Sequence, residues 1–199
     1  MFLFPDPPSS PLKPATEVIF LLDTSQNVSR DLLKVEKELV TLLLQHFNIS
    51  VTGPRGAVIA YADRPSLTTN FGEDFSDRIN SIPLSRAAGR IDRALQYASQ
   101  LFARSDRNGR KIAILLTASR RNSSLKQLRD AEKSLRLNGA QTFAIALTEV
   151  PDIQELLAIV HRSDDIFRVS RGDILSIQSR DIAEKIRNKR GMIIGMSIG

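Results

Sequence analysis

Residues 18–27 read VIFLLDTSQN, and the rest of the chain is best understood outward from them. Five consecutive apolar residues, 18–22, are too few for a helix of ordinary length and suit a strand buried on both faces, as in the middle of a parallel sheet. Asp23 falls where that strand ends. In open α/β sheets ligands sit at the carboxyl ends of the strands, so an acid followed by small hydroxyl residues marks a candidate site.

Downstream, Ser29 or Asn27 can cap a helix running to about Phe47, with Leu32, Leu33, Val35, Leu39, Val40, Leu43 and Leu44 on one side. Gly53-Pro54 stops it. AVIAYA at 57–62 is a second buried strand, and LTTNF at 67–71 a shorter edge strand beside it. Helical signals at 75–82 and 91–103 are separated by Pro83 and Gly89. IAILL at 112–116 is a third buried strand; a helix over 124–137 stops at Asn138-Gly139, a good C-terminal signal. TFAIAL at 142–147, a short helix at 153–160, a strand at 166–169 and a helix at 174–187 complete the chain. Strands alternate with helices, which predicts an α/β fold: a doubly wound, mostly parallel sheet with helices on both faces.

The 199 residues suit one domain, placed at 15–190, and 42% hydrophobic content can bury a sizeable core. Residues 1–14, MFLFPDPPSSPLKP, fit neither a signal peptide nor a folded element and are expected to be a flexible flank. Residues 191–199 are expected to be a flexible tail that could stem from cloning, and the closing MIIGMSIG is too short to span a bilayer. A net charge of +6 and a pI near 10.0 favour acidic partners such as sulfated polysaccharide, nucleic acid or an anionic membrane surface. The absence of cysteine removes disulfides, thiolate metal sites and cysteine nucleophiles together.

Several chemistries would use the end of the first strand. A dinucleotide site needs glycines there, and 23–30 contains none. An aspartyl-phosphate enzyme could use Asp23 as nucleophile but wants a second carboxylate nearby, where Ser25 stands. The two histidines, His46 and His161, have no nucleophile-acid pattern attached and are expected at helix surfaces or boundaries.

VIFLLDTSQN, the amphipathic helix after it, GAVIAYADRPSLTTNF, IDRALQYASQLF, KIAILLT and DIFRV before a last helix together resemble a von Willebrand factor A domain. Within that family the pairing of TEVIFLLDTSQNV with a degenerate later half is most similar to the A domains of collagen VI long α chains. The resemblance implies a six-stranded sheet with one short antiparallel edge strand, and a non-catalytic role in adhesion or matrix assembly. It also implies a secreted module of a longer chain in the extracellular matrix, with other matrix proteins or collagen chains as partners.

Many A domains hold Mg2+ or Mn2+ in a metal-ion-dependent adhesion site whose first motif is Asp-x-Ser-x-Ser. Asp23 and Ser25 match it, and Asn27 replaces the second serine. The family's threonine ligand aligns with Gly89 and its later aspartate with Ala118, so both ligands are lost. Asp63 and Asp92 are the evident substitutes. A hard divalent ion prefers a fuller set of oxygens, so the resemblance implies a degenerate site and no cofactor, unless those few oxygens still bind Mg2+ or Mn2+. Asp23 and Ser25 are then expected to fix the turn into the next helix.

Three further features stand out. Lys126, Arg129, Lys133 and Arg136 share one helical face opposite Leu125, Leu128 and Leu135 and could bind a heparin-like polysaccharide, extended by Arg120 and Arg121. No aromatic residue interleaves them, which speaks against single-stranded nucleic acid. Arg171-Gly172-Asp173 is an integrin-recognition tripeptide, although Asp173 also suits the N-cap of the last helix. Asn27, Asn48 and Asn122 head N-glycosylation sequons, and a glycan on Asn27 would crowd the top of the sheet.

Overall fold

The computed structural model describes residues 11–118, 123–169 and 174–189. Six strands are present: β1 (Glu17–Asp23), β2 (Arg55–Tyr61), β3 (Ser66–Thr69), β4 (Lys111–Thr117), β5 (Ala140–Ala146) and β6 (Ile166–Arg168). Six helices accompany them: α1 (Arg30–His46), α2 (Ser76–Ser81), α3 (Ile91–Ala103), α4 (Leu125–Leu137), α5 (Ile153–Leu157) and α6 (Leu175–Asn188). The sheet order is β3-β2-β1-β4-β5-β6; only the β2–β3 pair is antiparallel. This is the doubly wound, mostly parallel six-stranded sheet with one short antiparallel edge strand.

All seven residues of β1 are buried, because the strand is paired on both sides and covered on both faces. Alternation divides its side chains between two cores. Val18, Phe20 and Leu22 pack with α1 and α6 residues such as Leu39, Leu43 and Ile182, whereas Ile19 and Leu21 pack with α3 and α4 residues such as Leu95, Phe102 and Leu128. Each such apolar side chain contributes about 1.5–3 kcal/mol on burial, so the central strand is the strongest determinant of the architecture. Just before it Leu12 is also buried against the first core.

The helices start and stop where local chemistry directs. Ser29, not Asn27, caps α1: its hydroxyl accepts from the Leu32 N–H at 3.1 Å, while Asn27 is exposed. At the other end Asn48 adopts φ 53, and the Ile49 and Asn48 N–H groups close onto Leu44 O and Gln45 O, an asparagine-terminated Schellman arrangement. Ser124 and Gln127 form a reciprocal capping box on α4, and Gly139 takes φ 76 after it, a conformation that a side chain would strain. α5 is shorter than the apolar run to Val160 suggests. Ala158 N–H already bonds back to Gln154 O, and Ile159 and Val160, both β-branched, are buried as the chain turns inward.

Candidate functional site at the end of strand β1

The chain leaves β1 for β2 on one side and later returns to β4 on the other, so the winding reverses at β1. That reversal opens the strand ends on which Asp23 and Ala118 lie. The loop after β1 is held from several directions. Thr24 donates to Tyr61 O through both its N–H (2.9 Å) and its hydroxyl (3.0 Å). Ser85 N–H donates to Thr24 O at 2.7 Å, and Gln26 N–H to Ala87 O at 2.9 Å. The 85–87 segment is thereby pinned against the candidate site.

Asp23 is fully buried. Its Oδ1 accepts from Ser25 N–H at 2.9 Å, the turn-fixing bond expected of an acid at this position. Oδ2 and the equally buried Ser25 Oγ have no hydrogen-bond partner among the described residues. Asn27 is exposed two residues on. Gly89 is buried and Ala118 half-buried, and neither brings a side-chain oxygen.

The two acids named as substitutes are both committed to arginines. Arg90, directly after Gly89, grips Asp92 with two bonds, Nε to Oδ1 at 2.9 Å and a terminal nitrogen to Oδ2 at 2.8 Å. Ser123 Oγ donates to the same carboxylate. Burial by itself raises the Asp92 carboxyl, but the Arg90 and Ser123 hydrogen bonds outweigh it and hold it below the ordinary range. Asp63 accepts from Arg93 at 2.8 Å. An octahedral divalent ion wants about six oxygens with carboxylates among them. Asp23 Oδ2 and Ser25 Oγ are the free buried oxygens of the motif, and buried Thr117 Oγ1 at the end of β4 is also without a partner among the described residues; one carboxylate and two hydroxyls fall short of such a shell. Among the described residues no group of three or more histidine and acidic side chains is arranged to hold a metal.

A further acid lies at this site. Glu36, on the second turn of α1, is fully buried, and neither carboxylate oxygen has a partner among the described residues. Burial, and then the Asp23 charge, push its carboxyl well above the ordinary value, with the Asp23 backbone offsetting part of the effect. Tyr61 is likewise buried, its hydroxyl donating to Leu116 O at 3.1 Å, and burial, then Asp23 and Glu36, push it far up. Glu36 stands three residues after Leu33 and four before Val40, inside the apolar stripe of α1. That spacing is the sequence signal for its burial.

The remaining candidates are scattered. Lys126, Arg129, Lys133 and Arg136 are all exposed on α4, opposite buried Leu128, Ala131 and Leu135. The stripe is not purely basic: exposed Asp130 lies within it, and Arg136 stands 3.6 Å from Glu132. Arg120, Arg121, Asn122 and the Arg171-Gly172-Asp173 tripeptide lie outside the described residues, and α6 begins with Ile174 in the cap position, one residue beyond Asp173. Asn48 is exposed. His46 closes α1, its Nε2 3.1 Å from Ser179 Oγ, and His161 is exposed between elements.

The profile of the von Willebrand factor type A domain matches residues 17–180. The collagen alpha-1(XXI) chain of Xenopus laevis is 30% identical over 167 residues, 81% of this chain and 17% of that one. Cuticlin-6 of Caenorhabditis elegans is 26% identical over 165 residues, 78% of this chain and 28% of that one. The chain thus spans under a third of the length of either relative. Among solved structures, proximal thread matrix protein 1 from the mussel byssus, with a zinc-occupied MIDAS motif, superposes with a TM-score of 0.75 at 20% identity, covering 88% of this chain and 46% of that one. With the family's profile matched over residues 17–180 and the sheet order and reversal point as described, the chain belongs to the von Willebrand factor type A domain family.

Proposed function

We propose that this domain is a non-catalytic module of the extracellular matrix that binds or assembles with other matrix proteins or collagen chains without a metal ion at the end of β1. The observation that carries the reading is the commitment of Asp92 and Asp63 to Arg90 and Arg93, beside positions Gly89 and Ala118 that bear no side-chain oxygen. Kinship with a collagen and a cuticlin supports the matrix setting. No helix among the described residues is long and apolar enough to cross a membrane. Full burial of Asp23 argues against its use as a phosphoryl-accepting nucleophile. A glycan on exposed Asn27 would further obstruct the strand ends.

A second reading, a metal-dependent adhesion domain using Asp23, Ser25 and Asn27, draws on the two unpartnered buried oxygens, Asp23 Oδ2 and Ser25 Oγ. Capture of partners from matrix extract by the immobilised domain distinguishes the two. Capture that persists in EDTA supports the metal-independent reading; capture lost in EDTA and restored by Mg2+ refutes it. Heparin-like binding through α4 would show instead as capture lost at high salt.

A further inference from the structure

Between the N-terminal half of α1 and the 84–86 loop lies a groove of about 710 Å3. Its rim is basic. Arg30, Lys34 and Lys37 follow one another at i, i+4 and i+7 along one face of α1, and Arg86 contributes from the loop. Half-buried Leu84 and the exposed edge of the core residue Leu33 give it an apolar part, and no carboxylate lines it among the described residues.

These cations are available. Arg30 and Arg86 are exposed and enter no ion pair among the described residues. Lys34 is only loosely matched, 3.8 Å from Asp31, with both side chains largely in solvent. Lys37 serves the wall as well as the charge, donating to Asn80 O at 2.8 Å and Ile82 O at 2.7 Å. The opposite wall is held by the Ser85–Thr24 and Gln26–Ala87 backbone bonds. The groove is therefore preformed, which reduces the ordering cost of binding. The N-terminal end of the 17-residue helix α1 adds its own positive potential to the same mouth.

We propose that this groove docks an acidic peptide segment of a partner protein, with one apolar side chain against Leu33 and Leu84 and flanking carboxylates on Arg30, Lys34 and Arg86. The proposal rests on the metal-independent protein-binding reading above and names the surface that carries it. The apolar part favours a peptide over a sulfated polysaccharide, which matches the rim but leaves Leu33 and Leu84 unused. Its volume falls within the range of about 300–1,000 Å3 typical of sites for small ligands, so the recognised segment is a few residues long.

The probe is a fluorescein-labelled Glu-Asp-Leu-Glu-Asp peptide, followed by fluorescence anisotropy in EDTA at low and moderate salt. Saturable, salt-weakened binding is expected, reduced about tenfold or more by Arg86→Glu or Arg30→Glu. Both sites are exposed, so an unchanged melting temperature certifies the fold. Lys133→Glu on α4 should leave binding unchanged, and a peptide with Gly in place of Leu should bind several-fold more weakly. Absence of saturable binding both in EDTA and in Mg2+, or full binding by both charge reversals, overturns the proposal. Equal affinity for the Gly peptide, together with displacement by a heparin oligosaccharide, assigns the groove to polysaccharide and also overturns it. Peptide binding that requires Mg2+ sinks the metal-independent reading and spares the groove. Matrix capture that survives Arg30→Glu with Arg86→Glu sinks the groove and spares that reading.

Discussion

Replacing Glu36 by leucine should make the protein more stable. The carboxyl lies fully buried on α1 beside Asp23, with both oxygens unpartnered among the described residues. Leaving a buried polar group unsatisfied costs about 1–3 kcal/mol, and leucine fits the apolar stripe between Leu33 and Val40. A gain of about 2 kcal/mol corresponds to roughly 4–8 °C in Tm for a chain of this size. The pH dependence separates this cause from ordinary repacking. Because the folded-state pKa is raised above the ordinary 4.5, Glu36 binds its proton more tightly in the folded than in the unfolded state. Its contribution is therefore fully present below pH 4.5 and is lost as pH rises through the folded-state value. The advantage of Glu36→Leu, and of the uncharged Glu36→Gln, should thus widen as pH rises above the ordinary 4.5, with a limiting slope of about 1.4 kcal/mol per pH unit. Guanidinium denaturation followed by circular dichroism, in EDTA, measures it. A pH-independent difference, or a leucine variant less stable than the wild type at pH 7, would mean that the Glu36 carboxyl is satisfied in the folded protein.

Two perturbations probe the base of the sheet. Glu17, fully buried at the start of β1, is bound by Arg55 at 2.5 Å and Ser105 at 2.7 Å, so Arg55→Met should cost about 3–5 kcal/mol in chemical denaturation by stranding a buried charge; a loss below 1 kcal/mol would contradict that assignment. A Cβ on Gly109 would overlap the Ala15 carbonyl, so Gly109→Ala should lower stability by about 1–3 kcal/mol by displacing the segment that enters β1. Unchanged stability there would mean that this segment shifts freely.

The fold was legible because buried strands write themselves as unbroken apolar runs. IAILL and AVIAYA carry the same message as VIFLL, and between them the alternation with helices leaves few topologies. Ends were less legible where apolar pattern and backbone part company. Ile159 and Val160 prolong the apparent helix of α5 although they are core residues of a turning chain. At the site, the motif located Asp23, Ser25, Gly89 and Ala118, but spacing cannot reveal pairs such as Arg93 with Asp63, thirty residues apart. Asp63 looked like a spare ligand for that reason, and Asp92 did because sequence does not show that Arg90, two residues before it, folds back onto its carboxylate. Glu36 was readable and overlooked, since an acid on a helix is ordinarily taken for a solvated one. The groove needed the fold, because Arg86 meets the α1 cations only once the 85–87 segment is pinned to the loop after β1.

Whether this A domain works without metal is tested directly by calorimetric titration of the chelator-stripped domain with Mg2+ and with Mn2+. With Arg90 and Arg93 holding the nearby carboxylates and no side-chain oxygen on Gly89 or Ala118, no saturable heat is expected from the wild type, and Asp23→Ala should give the same trace. Micromolar affinity for either ion, abolished by Asp23→Ala, would contradict the account and make the end of β1 a working adhesion site.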